Sequence, residues 1–312
     1  MTSQEISEWV RSALPRPDHP VVWLFDVDDT LTDTQAMHHR AADSLKSGLT
    51  VCMTEALASS VSRRFRTVFD QLLLLHQQRP VDEGKMRSIR ELEGRVRDLQ
   101  REISERWGTV RLFSREILLH VAAEDCGARL SPDELDRCVD QYWDHMLKHP
   151  IVYPDAVRIF RKLGSRRVPA YLMTSSDARY RQNSDGQFSY DPCVSRQDKR
   201  RRMVNLKDHG ISYDRSFIGD PADKPSEEFY DLVFAGISQD LNTPHGDLFF
   251  VVVGDSYRSD IQVPLDRLES AVGILCRRNQ SAARVESERV LAVGDLDLFL
   301  EYLDGSAMGG KG

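Results

Sequence analysis

Apolar positions fall into two patterns along the chain. Short continuous runs at residues 21–25, 170–173, 248–253 and 272–276 are rich in Val, Leu and Phe and end in polar or glycine-containing turns. Such runs read as strands buried on both faces. Residues 217–218 and 290–293 are weaker runs of the same kind. Helix-like stretches at 155–163, 195–208, 226–236 and 260–270 lie between them. This alternation predicts an α/β core, a doubly wound parallel sheet covered by helices on both faces.

The second pattern occupies 34–149, where helical periodicity holds throughout and no convincing strand interrupts it. The stretch SPDEL predicts a helix start with Ser131 as N-cap, Pro132 in the first turn and Glu134 at the capping-box position. Within 84–107, Ile89, Leu92, Val96, Leu99 and Ile103 recur at alternating spacings of three and four, with Arg and Glu elsewhere. Such a stripe could seat a second copy, a homodimer through the insert, but packing against neighbouring helices is the better reading. The predicted organisation is a core domain of 1–34 and 150–312 with an all-α domain, 35–149, inserted after the first strand. A short N-terminal helix should end at the prolines, and the tail GSAMGGKG should be disordered.

Composition narrows the class. With 40% hydrophobic and 29% charged residues among 312, the chain can build a full core. Its formal net charge of −7 argues against a general nucleic-acid or anionic-membrane partner. No apolar run approaches the ~18 residues that span a bilayer, and the N-terminus lacks a secretory apolar segment. Five scattered cysteines, never spaced as CxxC, favour reduced thiols and a cytoplasmic location over a disulfide framework or zinc site.

The chemistry gathers at strand ends, where open parallel sheets bind ligands. After 21–25 come Asp26, Asp28, Asp29 and Thr30; after 170–173 come Thr174, Ser175 and Ser176; after 248–253 comes GDSYRSD, carrying Asp255 and Asp260. Lys224, in DKPSEEFYD, precedes a helix and could bring a cation to the same edge. Acids gathered there call for a counter-charge, and an all-oxygen set suits Mg²⁺, which keeps positions open for phosphate oxygens. A turn after Asp26 would let one acid act as nucleophile and the other as proton donor.

These four segments, in this order, resemble the motifs of the haloacid dehalogenase (HAD) superfamily: DVDDT at 26–30, YLMT ending at Thr174, the lysine of DKP, and GDSYRSD. The resemblance covers about 1–34 and 151–300, and the insert lies where the phosphatase branch carries its helical cap. It implies a Rossmann-like core and a Mg²⁺-dependent phosphomonoester hydrolase. On that reading Asp26 forms an aspartyl-phosphate, and Asp28 protonates the leaving group and then activates water. Thr30 holds the turn and lies near the phosphate, while Thr174, Ser175 and Lys224 contact the phosphoryl group. Mg²⁺ is held by Asp26, the backbone carbonyl of Asp28, and Asp255, with Asp260 acting through water or by positioning Lys224. Asp29 replaces the family's more usual glycine, and the cap is longer than most of its type. An acid at 28 favours ester chemistry over dehalogenation, because an alkoxide needs a proton and a halide does not.

The implied partner is a small phosphorylated substrate (a sugar phosphate, a phosphoglycolate-like acid or a nucleoside monophosphate), admitted under a closing cap. The alternatives are a phosphomutase of the same superfamily and a non-enzymatic binding protein using the 84–107 helix. SDG, within residues 178–191, predicts a β-hairpin hanging over the site, with Arg179, Tyr180, Arg181 and Tyr190 near a phosphate or ring. KRRR at 199–202 reads as a solvated helix face rather than a polyanion site. His38 and His39 should be solvated or hydrogen-bonded, and His145 with His149 lacks a third zinc ligand.

Overall fold

The computed structural model describes residues 3–14, 20–76, 82–108 and 110–304; the tail 305–312 and the prolines at 15 and 17 lie outside the described residues. The chain divides into two compact units. One comprises Met1–Thr34, Ile151–Ser175 and Arg200–Gly312, the other Gln35–Pro150 and Ser176–Lys199.

Nine strands occur among the described residues: β1 (Val21–Phe25), β2 (Ala170–Ser175), β3 (Tyr180–Gln182), β4 (Phe188–Tyr190), β5 (Arg215–Gly219), β6 (Phe249–Gly254), β7 (Ala271–Cys276), β8 (Arg284–Ser287) and β9 (Val290–Val293). Seven of them form the sheet of the first unit, in the order β5-β2-β1-β6-β7-β9-β8. Every pairing is parallel except β8 with β9. This is the Rossmann-like α/β core.

Strand geometry explains the unbroken apolar run of β1. Trp23 and Phe25 point into one core cluster with Phe160, Leu163 and Phe299, whereas Val22 and Leu24 point into another with Phe229, Tyr230 and Ile237. Successive residues face opposite sides, so both sides must be apolar. The helix Glu227–Leu241 is started by Ser226, whose Oγ accepts from the Phe229 amide at 3.2 Å. The run RVES of β8 is too polar to announce a strand; it lies mostly exposed at the sheet's antiparallel edge. The helix expected at 260–270 is shorter, with a π-helical turn at Tyr257–Ile261 leading into Gln262–Arg267. At the end of β1 the chain turns through Leu31–Thr34, where the Tyr153 amide donates to the Leu31 carbonyl at 2.9 Å and the Asp33 amide to the Ile151 carbonyl at 2.8 Å.

The second unit is built from the helices Thr34–Leu49, Glu55–His76, Glu83–Asp98, Arg101–Trp107, Arg115–Asp125 and Pro132–Lys148. Ser131 and Glu134 form the expected capping box. The stripe at 84–107 is not one helix, because the chain breaks at Leu99–Gln100. Gln100 is wholly buried, its side chain bonded to the Arg111 backbone and to Tyr180. Ile89, Leu92, Val96 and Ile103 are buried within this single chain.

The domain boundaries differ from the expected ones at Pro150, which falls with the helices, and over one longer stretch. Residues 176–199, expected in the core, group with the helices. The β3–β4 hairpin belongs there because its partners do: the Tyr180 hydroxyl donates to Gln100 at 2.8 Å, and the Phe188 ring meets His120 edge-on at 5.4 Å. Arg179, expected near a phosphate, lies instead among Glu116 (2.8 Å), Asp140 (2.7 Å) and Asp198 (2.7 Å). Among the described residues no helix is long and apolar enough to cross a membrane.

Candidate active site

The site lies at the carboxyl ends of β1, β2, β5 and β6, all within the first unit. Asp26 follows β1 directly, its amide donating to the Val253 carbonyl at 2.8 Å as though the strand continued. Its side chain is buried, and Lys224 Nζ donates to Oδ1 at 2.5 Å. The same Nζ donates to Asp260 Oδ1 at 2.7 Å. One ammonium thus clamps two carboxylates. Asp260 is further fixed by the Ser256 amide at 3.0 Å and the Ser259 hydroxyl at 3.3 Å. The close approach of Asp260 to the end of β6 requires glycine there: a Cβ on Gly254 would lie 2.3 Å from the Asp260 Cβ.

Asp26, Asp255 and Asp260 bring carboxylate oxygens within 4.8 Å of one another. Three acids against one lysine leave excess negative charge. Burial pushes the Asp26 carboxyl up to about 6, with Asp260 and Asp28 adding to the rise and Lys224 opposing it. Asp255 is raised well above the carboxylate range by burial, then by the charges of Asp260 and Asp26. Burial disfavours the Lys224 cation, but Asp26 and Asp260 outweigh it and hold the amine protonated. Asp26 Oδ2 is buried with no hydrogen-bond partner among the described residues. An orphaned anionic oxygen in an all-carboxylate set fits a hard divalent cation such as Mg²⁺. Asp260 is occupied by Lys224 and two further donors, so Asp26 and Asp255 are the better placed ligands.

Asp28 is not part of that cluster. Its Oδ1 accepts from Thr34 Oγ1 at 3.0 Å and from an Arg202 amino group at 3.3 Å, and Oδ2 faces Thr174 Oγ1 at 3.5 Å. Asp29 stands in the left-handed region with φ of 60°, the conformation glycine adopts freely. Thr30 is wholly buried; its amide donates to the Val27 carbonyl at 3.3 Å, while its hydroxyl has no partner among the described residues. Its observed contribution is to the turn. The Ser175 hydroxyl donates to Asp223 at 2.9 Å, and Asp223 also accepts from the Lys224 amide at 2.8 Å.

Three residues at this edge lie outside the expected set. Asp223 ties the loop after β2 to the loop that carries Lys224. Arg278, just past β7, donates to the Thr30 carbonyl and to Asp155 at 2.5 Å, and stacks on Tyr153 at 4.1 Å. Arg202 reaches Asp28 from the helix Pro192–Asp208. KRRR is therefore not simply a solvated face: Arg200 and Arg201 are exposed, but Lys199 and Arg202, three apart, are buried. The apolar Met203 and Leu206 one turn further on were the signal of that inward face.

No protein-family model matches the sequence, and no curated protein matches it. Among solved structures, that of YfnB from Bacillus subtilis, described as a HAD-hydrolase and bound to magnesium, is similar over 92% of this chain and 100% of its own, at 14% identity and a TM-score of 0.53. A Thermotoga maritima protein described as a β-phosphoglucomutase is similar over 91% of this chain and 98% of its own, at 16% identity and a TM-score of 0.49. A 2-haloacid dehalogenase from Pseudomonas syringae pv. tomato DC3000 is similar over 92% and 98%, at 13% identity and a TM-score of 0.43. At such identities a likeness speaks for architecture, not reaction. With the parallel sheet and the strand-end acids in place, the first identifies the architecture: the chain has the fold of the haloacid dehalogenase superfamily.

Proposed function

We propose that the protein is a Mg²⁺-dependent phosphomonoester hydrolase that acts on a small phosphorylated metabolite through an aspartyl-phosphate on Asp26. The observation that carries this reading is the asymmetry of Asp26, with Oδ1 held by Lys224 and Oδ2 buried without a donor. A carboxylate fixed by one oxygen, with the lone pairs of the other buried and unpaired, is built to attack or ligate rather than to support the fold.

Asp26, Asp255 and the backbone carbonyl of Asp28 would hold Mg²⁺, and Asp260 would act by holding Lys224. When bound, the ion supplies the positive charge that lets a phosphate dianion approach these carboxylates. Lys224 keeps Asp26 from being repelled by the incoming phosphate and stabilises charge building on the transferring group. Asp28 gives its proton to the departing ester oxygen, and afterwards takes one from the water that hydrolyses the acyl phosphate. Thr174, beside Asp28, is placed to donate to the phosphoryl oxygens. Ser175 acts more indirectly, because its hydroxyl already donates to Asp223. The five cysteines are all free thiols, which supports a reducing, cytoplasmic setting.

A panel of sugar phosphates, phosphoglycolate-like acids and nucleoside monophosphates, assayed for phosphate release with Mg²⁺, tests the proposal. Release from at least one of them, lost on chelation and in Asp26→Asn, is the expected result. Isomerisation without release, or halide release from 2-haloacids in place of phosphate release, would overturn it.

A further inference from the structure

Arg202 occupies a costly position. On the helix Pro192–Asp208 its neighbours Met203 and Leu206 are buried in the apolar core cluster, and Arg202 itself is 9% exposed. A guanidinium on a buried helix face loses hydration that a partner must make good. One partner is an acid of the site: an amino group of Arg202 donates to Asp28 Oδ1 at 3.3 Å. Asp28 is the more exposed of the two, with about a third of its side chain open. An exposed carboxylate has little need of a buried cation for its own solvation. The pairing therefore makes better sense as a constraint on where Asp28 points.

Thr34 and Arg202, both donating to Oδ1, hold it in different ways. Thr34, at 3.0 Å, sits on the chain that continues from the Asp28 turn, so by itself it would let the turn and the carboxylate shift together. Arg202 comes from a distant part of the sequence and is anchored by Met203 and Leu206 in the core. It ties the carboxylate to the body of the sheet unit. The planar guanidinium also restricts direction more than an ammonium would.

We propose that Arg202 is a positioning residue for this reaction, holding the Asp28 carboxylate where it can serve the leaving-group oxygen. The inference rests on the phosphomonoesterase reading. It implies that Arg202 matters most where the leaving group needs a proton, as an alkoxide does, and least where it does not, as with an activated aryl phosphate.

The test compares wild type, Arg202→Met, Arg202→Lys, Asp28→Asn and the double variant Asp28→Asn/Arg202→Met, each with an alkyl phosphate and with p-nitrophenyl phosphate. In Arg202→Met the alkyl-to-aryl ratio of kcat/KM should fall roughly tenfold or more, a part of the 10²–10⁴ that general acid catalysis contributes. Lysine should restore part of the ratio. In the Asp28→Asn background Arg202→Met should have no further effect on the ratio, because the group it positions is gone. Binding of trifluoroberyllate with Mg²⁺, which probes the Asp26–Lys224 side, should persist in Arg202→Met and shows that the variant has folded. Equal losses on both esters, no loss, or additive effects in the double variant would overturn the assignment of Arg202 alone. A wild type that hydrolyses neither ester would overturn the phosphomonoesterase reading, and the inference with it.

Discussion

Asp29 shapes the turn of the site through its backbone. It stands at φ of 60° between the Asp28 and Thr30 positions, where a β-branched side chain would be strained by about 1–2 kcal/mol. Asp29→Val should therefore unfold at lower denaturant than Asp29→Gly by that amount, and equal stability of the two would contradict the turn's role. At Asp26 the unpartnered oxygen and the pKa of about 6 carry a second prediction. The raised carboxyl means that the metal-free protein binds a proton more tightly than its unfolded chain between about pH 4 and 6, so this group favours folding as pH falls through that window. On the proposed reading Mg²⁺ displaces that proton, so its stabilising effect should grow as pH rises through 6. Thermal melts with and without Mg²⁺ should show a larger shift at pH 7.5 than at pH 5.5, and the opposite order would count against Asp26 as a ligand. That the acids gather at one edge was readable from their strand-end positions, and that Lys224 could join them from its place before a helix. Arg202, Asp223 and Arg278 were not, because each acquires its meaning from a partner far away in the chain.

Among the elements, the hairpin β3–β4 shows the same dependence on long-range partners. SDG announced the turn, but nothing local said that Arg179, just ahead of β3, would be held by Glu116, Asp140 and Asp198. Glu116 is wholly buried, and burial pushes its carboxyl up against the pull of Arg179. Removing the guanidinium leaves that acid uncompensated. Arg179→Met should cost roughly 3 kcal/mol or more in denaturant unfolding, and a change under about 1 kcal/mol would show the cluster to be dispensable. The main strands and helices were legible from their periods alone. β8 was not, since Val285 is the one apolar residue among its four. Nor was the break at Leu99–Gln100, where a buried glutamine bonding to Arg111 and Tyr180 overrides a regular helical stripe.

At the scale of the whole chain, the two units draw on different physics. The sheet unit concentrates charge at one edge of an apolar core, whereas the helical unit buries polar groups within its own packing. His38 is the clearest of these: fully buried, stacked on Phe69 at 3.6 Å, bonded to Tyr142 at 2.9 Å, with Nε2 unpartnered among the described residues. Burial, then the nearby Arg115, hold its pKa well below the ordinary value. The unfolded chain takes up this proton near pH 6.5 and the folded one does not, so stability falls as pH drops below about 6.5. His38→Phe should flatten that acid dependence in chemical denaturation, and an unchanged slope would contradict it. The central claim, that Asp26 is the nucleophile, is tested most directly by acid-quenching the enzyme during turnover with Mg²⁺ and locating the phosphoryl group by mass spectrometry. The account predicts a phosphoryl group on Asp26, absent from Asp26→Asn; continued turnover by Asp26→Asn, or a phosphoryl group on another residue, would contradict it.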